Sequence, residues 1–150
     1  VAIDLTGTGL RYKVGDALGV YPTNCSELVN DVLAVAKIVS DTKVQSDGLE
    51  TSIGQVLARK CLRVISPELV DASIAHIEQR PKFNGAVAID AALIEKLKLF
   101  AESDELDQWD IVEFLQHFPE LYLPEQLLID HLLDLRPRLY SIASSQTKYA

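Results

Sequence analysis

Methionine is absent from the 150 residues, cysteine occurs only twice and tryptophan once. No apolar run approaches the roughly 18 residues that a membrane-spanning helix needs. The chain opens at Val1 with no methionine, which points to a segment of a longer polypeptide. Cys25 and Cys61 have neither a CxxC spacing nor the density of a disulfide framework. A reducing cytoplasm is the simplest setting for them, and both are expected to be buried small hydrophobes rather than nucleophiles. His76, His117 and His131 share no metal-ligating spacing, so no metal is expected. Basic residues are few: 14 Lys and Arg against 22 Asp and Glu give a net charge of −8. That balance repels phosphate backbones, and the cations form no stripe, which argues against nucleic acid. An acidic surface suits a basic redox partner, and it equally serves solubility alone.

Hydrophobic residues make up 48% and charged residues 24% of the chain, ordinary values for a sequence that buries a core. The length suffices for one compact domain, or for one domain with pieces of a second. From Leu10 to Pro22 the pattern predicts a strand, a turn at Gly15-Asp16 and a second strand, with Pro22-Thr23-Asn24 as its exit. Ser26 is the expected cap of a helix whose stripe runs through Leu28, Val29, Val32, Leu33, Ala36 and Val39 to about Ser40. Residues 41–50 are polar and predict a loop with a short extended piece near Val44. Thr51 or Ser52 then caps a brief helix from Ile53 to about Ala58.

Ser66-Pro67-Glu68 is a strong helix start, and that helix runs to about Gln79 before Arg80-Pro81 breaks it. Asn84-Gly85 predicts a turn. Asp90 predicts the cap of a helix through Leu93, Ile94, Leu97 and Phe100, followed by an acidic loop at residues 102–105. A further helix is expected from about Asp107 to Pro119, and a last one from Pro124 to about Asp134. A strand from Leu139 to Ala143 precedes the polar Ser144-Ser145-Gln146. The fold class is therefore mainly α, with about five to six helices inserted between strand-forming ends that cannot complete a sheet alone.

Pro137-Arg138-Leu139-Tyr140-Ser141-Ile142-Ala143 is the stretch richest in chemistry. Strand alternation puts Arg138, Tyr140 and Ile142 on one face and Leu139 and Ser141 on the other. Arginine offers a planar donor fork matched to a pyrophosphate, tyrosine a flat ring for stacking, and serine a small donor and acceptor. Composition alone favours an ordinary strand with Tyr140 half-buried and Arg138 solvated. The acidic group Asp104, Glu105, Asp107 and Asp110 is better explained by helix-start charge and solvation than by acid–base chemistry.

Two separated stretches give the tetrapeptide a context: Leu10-Arg11-Tyr12 with Gly15-Asp16-Ala17-Leu18-Gly19-Val20, and Arg138-Leu139-Tyr140-Ser141-Ile142-Ala143-Ser144-Ser145. Together they resemble the NADPH-dependent diflavin reductases, the family of cytochrome P450 reductase, nitric oxide synthase reductase domains and sulfite reductase flavoproteins. The spelling around Arg138, with Leu135-Arg136-Pro137 before it and Gln146 after it, looks closest to the sulfite reductase flavoprotein branch. The resemblance implies strands of an incomplete antiparallel FAD-binding β-barrel at residues 1–25, a helical connecting domain at 26–136, and a returning barrel strand at 137–150. It implies that Arg138 holds the FAD pyrophosphate, Tyr140 stacks on the isoalloxazine, Ser141 sits by the reactive edge and Leu139 contributes its backbone. Arg63 lies where related proteins can place a residue near FAD, although a solvated arginine before a helix is the simpler account. No catalytic residue is carried over.

The resemblance further implies electron flow from NADPH through FAD to FMN or a downstream acceptor such as a sulfite reductase hemoprotein. The flavodoxin-like FMN module, the NADPH-binding module and the rest of the pyrophosphate site are then expected outside these residues. A helical spacer or interaction domain that positions neighbouring redox modules is the alternative.

Overall fold

The structure is a computed structural model, and its description covers residues 3–81 and 86–143. The turn expected at Asn84-Gly85 and the tail Ser144-Ser145-Gln146 lie outside the described residues. In chain order the elements are β1 (Ala17–Val20), α1 (Ser26–Ala36), β2 (Lys43–Ser46), β3 (Leu49–Ser52), α2 (Ile53–Leu57), α3 (Pro67–Gln79), α4 (Ala86–Ala101), a 3-10 turn (Asp104–Asp107), α5 (Ile111–His117), α6 (Glu125–Asp130) and β4 (Arg138–Ser141). The described residues are mainly helical, with two short antiparallel strand pairs and no closed barrel, in agreement with the expected class. The chain divides into two compact units: Val1–Pro22 with Arg136–Ala150, and Thr23–Leu135.

In the first unit β1 pairs antiparallel with β4, Ala17 opposite Ser141 and Val20 opposite Arg138. The Gly15-Asp16 turn does not return the chain along a preceding strand, because Leu10–Lys13 joins no strand. The backbone groups of Lys13 are engaged by Asp16 instead: its carbonyl accepts from the Asp16 N–H at 3.0 Å and its own N–H donates to Asp16 Oδ2 at 2.8 Å. Gly15 has φ +95°, its N–H donates to the Ile142 carbonyl, and the Ile142 N–H donates to the Asp16 carbonyl. Two residues thus face one, a bulge that needs glycine because other residues are strained at that φ.

The second unit holds the core. Ser66 caps α3 by accepting from the Leu69 N–H, while its hydroxyl donates to the His131 carbonyl at 2.9 Å. One buried hydroxyl thereby ties the start of α3 to the end of α6. Buried residues of every helix in this unit join one cluster, which includes Phe114, whose ring lies 5.4 Å from Phe100 and 5.2 Å from Phe118.

Several boundaries differ from expectation. Cys25, not Ser26, occupies the cap position of α1. The helix stops at Ala36 because Lys37 turns left-handed at φ 59°, after which the β-branched pair Ile38-Val39 favours extended backbone. Ile38 then packs on the core and Val39 is 72% exposed, so the stripe predicted through Val39 fails at its last member. The short extended piece expected near Val44 is β2, but it belongs to a hairpin over residues 43–52 rather than to a loop: Asp47 and Gly48 both have positive φ, the geometry Asp-Gly supplies at a two-residue reversal.

α4 begins before Asp90, whose carboxylate lies 3.9 Å from the Arg80 guanidinium instead of capping. Trp109 precedes α5 rather than belonging to it. Asp110 caps that helix, accepting from Val112 and Glu113 while the Glu113 carboxylate accepts from the Asp110 N–H. α6 ends at Asp130, short of Asp134, because the chain turns away to pair with residues 59–61: the Cys61 N–H donates to Leu133 at 2.6 Å and the Leu135 N–H to Arg59 at 2.9 Å.

Candidate functional site

β4 carries Arg138, Leu139, Tyr140 and Ser141, and all four are exposed, with Leu139 at 73% and Tyr140 at 51%. Strand pleating separates them as the sequence predicts. Arg138 and Tyr140 share a face with Val20 and Leu18, their partners on β1. Leu139 and Ser141 share the other face with Gly19 and Ala17. The small partners matter: a Cβ on Gly19 would meet Leu139 Cδ2 at 3.6 Å, so this face is already in contact at the backbone and carries little cross-strand bulk beside Ser141.

Arg138 makes no ion pair among the described residues. A donor fork, a flat ring and a hydroxyl are therefore displayed within four consecutive residues on exposed strand. This donor set suits a ligand that combines an anion with an extended aromatic ring. An FAD molecule has both parts, and the residues fit it in chemistry.

Arg63 lies in the other unit. Its guanidinium pairs with Asp110 Oδ2 at 3.1 Å, with the arginine side chain 70% exposed. The pair borders a shallow cleft whose lining includes Cys25, Glu27, Asp31 and Glu113. Here Arg63 braces the carboxylate that caps α5. The cysteines depart from expectation, for Cys25 is exposed and Cys61 only partly buried. Cys25 sits at a helix cap and Cys61 in a paired segment, positions dictated by the backbone rather than by apolar side-chain packing.

Of the acidic group, only Asp110 has a defined task, as cap and ion-pair partner; Asp104, Glu105 and Asp107 belong to the 3-10 turn. Among the described residues no set of three His, Cys, Asp or Glu side chains is placed to hold a metal. No helix of the described residues is long and apolar enough to cross a membrane.

The histidines are structural in their contacts. His117 packs on Trp109 at 4.7 Å, and His131 Nδ1 lies 2.9 Å from the Leu127 carbonyl. His76 is held below its ordinary value of 6.5 by partial burial and then by the Arg80 charge, against an opposing backbone hydrogen bond at Tyr122. A depressed histidine leaves the unfolded chain binding more protons, so its contribution is full above the unfolded value and is lost as pH falls. Thermal unfolding is therefore expected to show stability declining below about pH 6.5, with a smaller decline in His76→Gln. An unchanged slope in that variant would remove His76 from the account.

Asn24 was missed by sequence reasoning, which assigned it only to a strand exit. Its Nδ2 donates to the Leu57 carbonyl at 2.8 Å and the Lys60 carbonyl at 2.7 Å, and its N–H donates to Ala58 at 2.8 Å. Nothing local marks such a residue, because its acceptors lie more than thirty positions away. The Asp110 cap was different: Asp-Ile-Val-Glu at 110–113 has the spacing of a capping box.

The sequence matches the family model described as FAD binding domain over residues 1–150. Among curated proteins, it is 38% identical over 143 residues to the sulfite reductase [NADPH] flavoprotein alpha-component of Mannheimia succiniciproducens, covering 95% of this chain and 22% of that protein. The similarly named proteins of Vibrio vulnificus and Aliivibrio fischeri are 35% and 33% identical, each over 99% of this chain and 22% and 23% of their own length. The chain thus spans between a fifth and a quarter of the curated relatives it matches.

Proposed function

The chain belongs to the family of FAD binding domains, and from that premise we propose that it is the flavin-strand and connecting segment of an NADPH-dependent flavoprotein reductase resembling the sulfite reductase alpha-component. The observation that carries the reading is the exposed Arg-Leu-Tyr-Ser strand, paired to β1 and found in a chain that matches that family from end to end. In this reading Arg138 binds the pyrophosphate, Tyr140 covers one face of the ring, and Ser141 places its hydroxyl at the ring's edge. Leu139 contributes backbone groups. Arg63 would have to exchange its Asp110 partner to take part.

When bound, FAD would supply the redox chemistry between NADPH and a downstream acceptor such as FMN or a hemoprotein. The protein's share is binding, orientation and shielding from water. The helical unit of Thr23–Leu135 serves as the connecting domain, a scaffold that sets spacing between redox modules. The flavodoxin-like and nicotinamide-binding modules belong to the longer protein, and a reducing cytoplasm suits its two free cysteines.

Purification of the full-length protein tests this directly. Visible flavin absorbance that bleaches on anaerobic addition of NADPH is expected. A full-length protein that never retains flavin, or a coding sequence with no nicotinamide-binding module, would sink the reading. The 150-residue chain alone is expected to bind FAD weakly or not at all, because one strand supplies only part of the contacts; micromolar binding in a titration would contradict this.

A further inference from the structure

The helical unit receives the chain at Thr23 and releases it at Leu135, and both ends are fastened to the same five residues. On the entry side, Asn24 bonds to the carbonyls of Leu57, Ala58 and Lys60. On the exit side, Leu133 accepts from Cys61, Leu135 donates to Arg59, and Asp134 pairs with Lys60 Nζ at 2.8 Å. Residues 57–61 are thus a common anchor, lying at and just beyond the end of α2. Asn24 engages the Leu57 and Lys60 carbonyls with one amide group and the Ala58 carbonyl with its backbone N–H.

The connectors beyond this anchor are short and stiff. Only Tyr21, Pro22 and Thr23 separate Val20 of β1 from Asn24, and only Arg136 and Pro137 separate Leu135 from Arg138 of β4. Each connector contains a proline, which fixes its own φ and restricts the residue before it. Displacement of either anchored end is therefore passed along the chain with little slack.

Resting on the flavin reading above, we infer that Asn24 is a positioning residue for the flavin strand. By fixing the separation of the two chain ends at residues 57–61, it holds β1 and β4 in the register that presents Arg138 and Tyr140 together. It touches no cofactor in this account. Lys60 and Asp134 close the exit side of the same anchor.

The test compares Asn24→Ala with Gln126→Ala in the full-length protein. Gln126 is a matched control, since it also makes two side-chain hydrogen bonds to backbone, to Gln45 N–H at 2.8 Å and carbonyl at 3.0 Å, in the same unit. FAD affinity and visible circular dichroism of the bound flavin are read at a temperature where far-ultraviolet dichroism shows both variants folded. Asn24→Ala is expected to weaken FAD about tenfold and to alter the flavin dichroism, while Gln126→Ala changes neither. Unchanged affinity in Asn24→Ala, or equal weakening in both variants, overturns the inference.

If Asn24→Ala does not accumulate, Lys60→Met, which opens only the exit side, is read by the same criteria. Failure of the flavin reading looks different, because the wild-type protein would then lack FAD or Tyr140→Ala would retain it.

Discussion

Replacing Arg138 and Tyr140 together by alanine is expected to leave the full-length protein folded but without bound flavin. Hydrogen bonds to a charged group contribute about 1.5–3 kcal/mol each, and an aromatic contact about 0.5–1.5 kcal/mol beyond its buried area. Since about 1.4 kcal/mol corresponds to a tenfold change, the double variant should lose on the order of a thousandfold in FAD affinity. Compared with flavin-free wild type, stability should hardly move, because all four β4 residues are exposed and surface substitutions usually fall within about 0.5 kcal/mol; the flavin-loaded wild type gains in addition whatever the cofactor contributes.

Conservative variants separate the two roles. Arg138→Lys keeps a point charge but not the bidentate fork, whereas Tyr140→Phe keeps the ring. Partial retention of flavin in both is expected, with Tyr140→Phe closer to wild type. Flavin retained at wild-type affinity in the double variant would assign β4 an architectural role only.

Phe114→Ala should produce the largest loss of stability. The ring is fully buried and contacts both Phe100 and Phe118, and truncating such a residue typically costs about 3–5 kcal/mol. Domains commonly have only about 5–15 kcal/mol in total, so the helical unit should unfold at markedly lower denaturant. Trp109 is the single tryptophan and lies 5.0 Å from Phe100, so its fluorescence reports the event without a label. Leu99→Ala, at a position 67% exposed on α4, is the comparison and should unfold almost as wild type does. Similar midpoints for the two would contradict the packing described around Phe114.

Local chemistry made much of the fold legible. Ser66-Pro67-Glu68 announced α3 because cap, fixed φ and charge all act within one turn, and Pro119 ended the α5 region as expected. The hairpin at β2 and β3 was legible in Asp47-Gly48, yet its polar flanks hid it: Lys43, Gln45, Ser46 and Glu50 offer little alternation to read. Gly15 was recognised as a turn, but its use in a bulge depends on Ile142, more than a hundred residues later in the sequence.

Arg138 to Ser141 stood out because their chemistry is local to one strand. On composition the same four residues read equally well as ordinary strand, and it was their resemblance, together with residues 10–20, to the diflavin reductases that suggested a flavin site. Asn24 could not stand out, since its role exists only after α2 has folded beside it.

Gln126 has a consequence for the outer edge of β2. β2 is an outer strand, and an outer strand carries backbone donors and acceptors that template pairing with another molecule. The Gln126 amide occupies both such groups of Gln45 as a neighbouring strand would, and its Nε2 also donates to Asp130 at 2.8 Å. One side chain from a helix thereby occupies, at Gln45, the outward backbone groups that another strand would otherwise pair with.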